Sequence, residues 1–384
     1  MCSAVIAALV LGWIATAWYF SNQIIKPEHE PAAFAETVRN ITTSAEGVPI
    51  VSLVRSPATA KPGRWGLVWQ GGSAMLGNIT SETPDQVDRM LLSGDVPRQG
   101  TRASMSGTYS PDPMAALGLS FSEVAIPTEL GPAPAWLIPA DPKAEAGLSA
   151  GTWVITVHGS SADRKQSLKF VPVLHRAGLS VLDITYRNDI GAPRSPDGLM
   201  HLGESEWRDL DAAVRTAYSM GAKHILLYGG SMGGAIVLQF LTNSHLADHI
   251  SGVLLEAPML SVPRMIDNLG YVHHMPAPLT WTALKLTNWR LGFDVHQIDV
   301  LRFPLEVHPP TLILQDMADR VMPISAARDF VSMSVKHGWI TQYAEFPNAG
   351  HGETWNSDSD RCERLISEFL RTKAGPEQVT APKQ

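Results

Sequence analysis

From Leu119 onward the chain alternates short apolar runs with segments of helical period. The runs "TWVITVHG" (152–159), "LSVLDITYR" (179–187), "HILLYGG" (224–230), "SGVLLEAP" (251–258) and "PTLILQD" (310–316) are apolar over most of their length. Between them, 163–178, 204–220 and 231–243 read as helices. In the second, Trp207, Leu210, Ala213, Val214 and Ala217 recur at helical spacing. Apolar strands separated by helices predict a mostly parallel sheet covered by helices on both faces. The runs at 121–140, joined by Thr128-Glu129-Leu130-Gly131-Pro132, read as an antiparallel hairpin that starts the sheet. Residues 261–305 break the alternation with a mostly helical segment rich in Met, Trp and His. Open α/β sheets bind ligands beyond the carboxyl ends of their strands, so a lid-like insertion there would cover such a site.

Upstream the pattern differs. Cys2 to Phe20 are apolar or small, and no charge occurs before Lys26. Nineteen such residues in a helix reach about 28 Å, close to a bilayer's hydrocarbon thickness. Trp18 and Tyr19 fall where an interfacial aromatic belt would lie, with Trp13 a little deeper. An uncleaved single-pass anchor is the expectation, with the domain on the extracytoplasmic side. A cleaved signal ending near Ala15-Thr16-Ala17 and a buried core helix are the alternatives. Residues 27–118 are rich in Gly, Pro, Ser and Thr, with strand-like runs at 48–54 and 64–70, and read as a small β-rich or irregular region. The resulting division is 1–22 anchor or signal, 23–118 extra region, 119–373 main domain with the insertion 261–305, and 374–384 a disordered tail.

Composition narrows the function. Hydrophobic residues make up 45% and charged residues 17%, which describes a folded interior rather than a disordered chain. The net charge is −7 and no run of basic residues occurs, which argues against a nucleic-acid partner. Cys2 and Cys362 stand at opposite ends and imply no disulfide framework. Without C-x-x-C or H-E-x-x-H spacing, no structural metal site is expected.

The stretch "YGGSMGGA" (228–235) carries the candidate chemistry. A phosphate loop would need Lys and a hydroxyl where Ala235-Ile236 stand, and a dinucleotide fingerprint would need Gly where Ser231 stands. The remaining reading is the nucleophile elbow G-x-S-x-G, formed by Gly229, Gly230, Ser231, Met232 and Gly233 between an apolar strand and a helix. Such a turn strains the serine backbone and needs small neighbours, and it leaves the hydroxyl at a helix N-terminus. A serine alone is a weak nucleophile, so a base, an acid and an oxyanion hole must follow. Asp316, at the end of the strand-like run 310–316, and Asp319, in the loop just past it, are the candidate acids, with Asp319 preferred. His351, in the turn "PNAGHGE", is the candidate base. The amides of Met232 and of Ser160, in the His158-Gly159-Ser160 turn, are the candidate oxyanion donors, with Ser161 as an alternative to Ser160. His158 precedes the nucleophile and reads as a loop brace.

Taken in order, H-G-x, G-x-S-x-G, D-x-x-x-P and G-H resemble the α/β-hydrolase superfamily over 119–372, in particular membrane-anchored bacterial hydrolases of the prolyl-oligopeptidase-like and monoacylglycerol-lipase-like branches. Gln315-Asp316 replaces the His-Gly pair that related proteins often carry before the acid loop. The resemblance implies an α/β-hydrolase fold and a serine hydrolase, needing no metal or organic cofactor, in which Ser231 attacks an acyl carbonyl, His351 moves the proton and Asp319 orients the imidazole. A small-molecule or lipid-like carboxylic ester is the first substrate class; a peptide or amide is the second. A non-catalytic, membrane-anchored binding module on the same fold is the reading from another class. Met259, Leu260, Met265, Leu269, Tyr271, Met275, Trp281, Leu284, Trp289 and Phe293 in and beside the insertion either form an apolar acyl pocket or pack the insertion onto the body.

Overall fold

The structure is a computed structural model and describes residues 2–28, 33–109, 111–142 and 151–373. The C-terminal segment 374–384, expected to be disordered, lies outside the described residues. The chain opens with helix α1 (Cys2–Ile25). Six strands follow: β1 (Glu36–Thr43), β2 (Pro49–Val54), β3 (Trp65–Trp69), β4 (Gly72–Glu82), β5 (Gln86–Gly94) and β6 (Arg102–Ser106). They close into a barrel in the order β1-β2-β5-β4-β3-β6, lined by Val38, Val51, Leu53, Leu67, Leu76 and Leu91. Closure removes the free edges that six short strands would otherwise expose.

A short helix α2 (Pro113–Leu117), capped by Asp112, leads into the main sheet. Its strands are β7 (Ser122–Thr128), β8 (Gly131–Ile138), β9 (Thr152–Val157), β10 (Ser180–Ile184), β11 (His224–Gly230), β12 (Ile250–Glu256), β13 (Thr311–Asp316) and β14 (Thr341–Phe346). The spatial order is β14-β13-β12-β11-β9-β10-β8-β7. Strands β9 to β14 run parallel, while β7 and β8 form the antiparallel hairpin at one edge. Side chains alternate across the sheet, so Ile155, Leu227, Val253 and Ile313 enter one core, and Val154, Leu226, Leu254 and Leu312 the other. This double burial is why these strands read as continuous apolar runs.

The covering helices are α3 (Val171–Arg176), α4 (Trp207–Ser219), α5 (Met232–Asn243), α8 (Ile324–Lys336), α9 (Thr354–Ser357) and α10 (Ser359–Lys373), with α6 (Val262–Val272) and α7 (Ala277–Leu291) between β12 and β13. The expected continuous helix at 163–178 is instead a 3-10 turn, Arg164–Lys169, followed by α3. Pro172 explains the break, because it has no N–H to donate to the carbonyl of Leu168.

Helix α1 is long and apolar enough to cross a bilayer. Val5, Ile6, Leu9, Val10 and Leu11 are exposed, whereas Ala17, Ser21, Ile24 and Ile25 are buried. Its second half lies along α7: Trp13 Nε1 donates to Thr282 Oγ1 (3.1 Å), and Ser21 Oγ accepts from Thr287 (3.1 Å) and Arg290 (3.0 Å). The Arg290 guanidinium also sits over the Trp18 ring at 4.2 Å.

Candidate active site

Ser231 joins β11 to α5 with φ 53° and ψ −118°, a conformation that costs energy for any residue bearing a Cβ. Its neighbours make the turn possible. A Cβ on Gly233 would lie 2.1 Å from the Val157 carbonyl oxygen, and one on Gly229 would lie 2.6 Å from that of Gly233. The Ser231 N–H donates to Glu256 O (2.9 Å), and its carbonyl accepts from Gly234 (3.0 Å) and Met259 (3.0 Å), so the strained residue is held on both sides.

The structure brings Ser231, His351 and Asp319 together. His351 Nε2 lies 2.8 Å from Ser231 Oγ, and His351 Nδ1 lies 2.7 Å from Asp319 Oδ2. Asp319 is buried, and its other oxygen accepts the N–H groups of Val321 (2.7 Å) and Met322 (2.8 Å). These bonds fix the orientation of the carboxylate. Gln315 Nε2 adds a longer contact to Asp319 Oδ2, at 3.4 Å, so the residue that departs from the family pattern supports the acid loop.

Asp316, the alternative acid, points elsewhere. Its Oδ2 accepts the Gly352 N–H (2.9 Å), while Oδ1 is buried without a partner among the described residues. Burial, with Glu256 and Asp319 adding negative charge nearby, pushes its carboxyl up to about 9, so it is protonated at neutral pH.

The amides of Met232 and Ser160 donate to no other described residue. Gly159 is packed so closely that a Cβ there would meet Ser231 Cβ at 2.9 Å, which brings the His158-Gly159-Ser160 turn beside the serine. His158 is fully buried, stacks on Tyr186 and faces acceptors at both nitrogens: Gly159 O (2.9 Å) and Asp189 Oδ2 (2.9 Å). Burial opposes its charge, but the Asp189 carboxylate and the Gly159 carbonyl outweigh it and raise the imidazole to about 9. With both nitrogens engaged, it is an imidazolium that braces the turn. Gln166 Oε1 completes the turn by accepting the Gly159 N–H (2.6 Å).

Residues 150–296 match the family model described as serine aminopeptidase S33, and residues 37–106 match a domain of unknown function. An esterase of Pyrococcus furiosus superposes with a TM-score of 0.53 at 19% identity, covering 70% of this chain and 98% of that one. The chain has the α/β-hydrolase fold. A puromycin-hydrolyzing peptidase of Mycobacterium tuberculosis also superposes, at a TM-score of 0.53 and 17% identity, over 91% of this chain and 56% of that one. At such identities both likenesses concern the fold. In sequence, an uncharacterized protein of Mycobacterium tuberculosis is 26% identical over 229 residues, 59% of this chain and 72% of the relative. The α/β-hydrolase domain-containing protein WAV2 of Arabidopsis thaliana is 26% identical over 161 residues, 40% of this chain and 48% of that one.

Sequence reasoning missed the charged network beneath the His351 turn. Lys169 Nζ is buried and donates to Glu256 Oε1 (2.9 Å) and to Gly352 O (2.6 Å). Glu256 also accepts from Thr354 Oγ1 (2.6 Å) and Tyr228 OH (2.9 Å). The backbone of Gly352 is thus gripped by Lys169 at its carbonyl and by Asp316 at its amide. A signal existed: Glu256 ends an otherwise apolar strand, where an acid is retained only if it is paired. Tyr271, Trp281 and Trp289 of the insertion are exposed, whereas Phe293 packs against the core in which Met259, Leu260 and Met265 are buried. Among the described residues, no cluster of three His, Cys, Asp or Glu could hold a metal ion.

Proposed function

We propose that this α/β-hydrolase cleaves carboxylic esters through Ser231, and the carrying observation is the Ser231–His351–Asp319 hydrogen-bond chain at 2.8 and 2.7 Å. His351 Nε2 takes the Ser231 proton as Oγ attacks the acyl carbonyl, and returns it to the leaving alcohol. Asp319 holds the Nδ1–H tautomer and stabilises the imidazolium that forms. The Met232 and Ser160 amides donate to the tetrahedral oxyanion, a contribution of roughly 3–4 kcal/mol per donor in comparable sites. Water then repeats the sequence on the acyl-enzyme, so the acyl group leaves as a carboxylic acid.

The route of the N-terminal segment supports a lipid-like ester. Just three residues past α1, the Glu28 N–H donates to Ser161 Oγ (3.4 Å), in the turn that carries the oxyanion amide. With α1 inserted as an anchor, this turn is tied to the chain three residues beyond the membrane-spanning helix, near the surface where amphiphilic esters are concentrated. Amide or peptide cleavage is the second reading, favoured by the family-model match over 150–296.

A fluorophosphonate probe tests the nucleophile: wild type labels and Ser231→Ala does not. Absence of labelling on folded wild type would overturn the serine-hydrolase reading and favour a binding module. Turnover of peptide amides above that of acyl esters in a substrate panel would move the assignment to the second reading.

A further inference from the structure

The six-stranded barrel meets the hydrolase body at the segment that carries His351. His351 stands in a turn between β14 and α9 that includes Gly350 and Gly352, the latter at φ 68°. Glycines on both sides leave a histidine many conformations unless contacts remove them. Glu353 closes this turn, because its Oε2 accepts the Gly350 N–H (3.0 Å) and its own N–H donates to Gly350 O (3.3 Å). The other carboxylate oxygen is held from the barrel by Lys61 Nζ at 2.5 Å.

A second junction lies three residues on. The Asn356 side chain donates to Arg64 O (2.9 Å) and Gly107 O (3.1 Å), and the Arg64 N–H donates to Asn356 O (2.8 Å). A Cβ on Gly63 would stand 1.8 Å from Asn356 O, so the two backbones touch where no side chain fits. Arg64 also pairs with Asp360 at 3.0 Å.

The barrel loop that makes these contacts is itself built around a buried cation. Arg89, on β5, is fully buried and donates to the carbonyl oxygens of Thr59, Lys61, Gly63 and Gly77. Burial pulls its pKa down to about 10, which leaves it charged at neutral pH. A buried guanidinium is tolerable when its donors are satisfied, and its planar fork can collect several carbonyls as a lysine cannot. With carbonyls 59, 61 and 63 turned inward to Arg89, the side chain of Lys61 and the amide of Arg64 are fixed toward residues 353–356.

We propose that the barrel is a positioning device for His351. Its Arg89-centred loop grips the 350–356 segment from outside, while Lys169 and Asp316 hold Gly352 from inside. The proposal rests on the hydrolase reading, and makes Lys61, Arg89, Glu353 and Asn356 positioning residues. The Lys61–Glu353 pair is 41% and 19% exposed, so its contribution to global stability is small. Its effect falls on the geometry of His351, where catalysis is sensitive to displacements well under an ångström.

In the full-length protein, Lys61→Met is expected to lower kcat on p-nitrophenyl butyrate about tenfold, with KM within about twofold. Active sites are counted by fluorophosphonate titration, and Lys61→Arg restores most of the rate. Amide hydrogen exchange at 350–356 should quicken about tenfold in Lys61→Met, with the sheet strands unchanged. A wild-type kcat per active site together with unchanged exchange at 350–356 would overturn the proposal, and so would a lowered melting temperature with kcat intact. The exchange comparison needs no turnover, so an inert wild type would remove the hydrolase reading while the grip on the turn is still decided.

Discussion

Asp316 and Asp319 stand three positions apart and face different partners, so the same substitution should act differently at each. Asp319→Asn keeps the shape but presents an amide to His351 Nδ1, and kcat is expected to fall by about 10⁴-fold with the fold intact. Asp316 is already neutral at pH 7, and an Asn there still accepts the Gly352 N–H. Asp316→Asn should therefore keep activity within about threefold and melt no lower than wild type at pH 8. Reversal of the two activities would reassign the acid. His158 carries a pH prediction. Its imidazole rises from 6.5 to about 9 in the fold, so its charge adds stability that is complete below about pH 6.5 and lost as pH rises through about 9. Thermal melts from pH 6 to 10 should show this loss in wild type, and His158→Gln should flatten it. Equal slopes in the two proteins would show that His158 is not the group responsible.

At the scale of elements, the elbow is the most tightly specified junction. Both atoms nearest a Cβ at Gly233 are backbone oxygens, Val157 O at 2.1 Å and His158 O at 2.6 Å, and neither can move without shifting β9 and the His158-Gly159-Ser160 turn. Gly233→Ala is expected to destabilise by about 3 kcal/mol or to prevent folding, measured by urea unfolding or soluble yield. A near-neutral effect would mean that β9 and α5 are farther apart than this structure places them. Strand and helix identities around the elbow were legible because they depend on local periodicity. Pro172 was equally visible, yet the split it causes was missed, since a helical pattern was carried through a residue without an N–H. The aromatic residues of α6 and α7 were ambiguous for a different reason. Apolar character alone does not say which face of a helix meets the body, and Tyr271, Trp281 and Trp289 face away from it.

At the scale of the whole molecule, α1 divides into a free half and a docked half. Deleting residues 2–12 removes Val5, Ile6, Leu9, Val10 and Leu11 and leaves thirteen helical residues, about 20 Å, too short to span. This truncation should move the protein to the soluble fraction with its melting temperature nearly unchanged. Deleting 2–25 should also lower the melting temperature, because it uncovers Leu279 and Ala283 on α7. Membrane association that survives the shorter deletion would rule out a single anchor. The sequence by itself determined the alternating α/β pattern, the glycines around Ser231, and the nomination of Asp319 and His351, since these rest on residue type, spacing and order along the chain. Only the tertiary structure decided that the N-terminal strands close into a barrel, that Arg89 gathers a loop around itself, and that Lys61, Lys169 and Asp316 converge on the His351 turn. The physical reason is separation along the chain: Lys61 and Glu353 are 292 positions apart, and no periodicity connects them until the packed sheet brings them together.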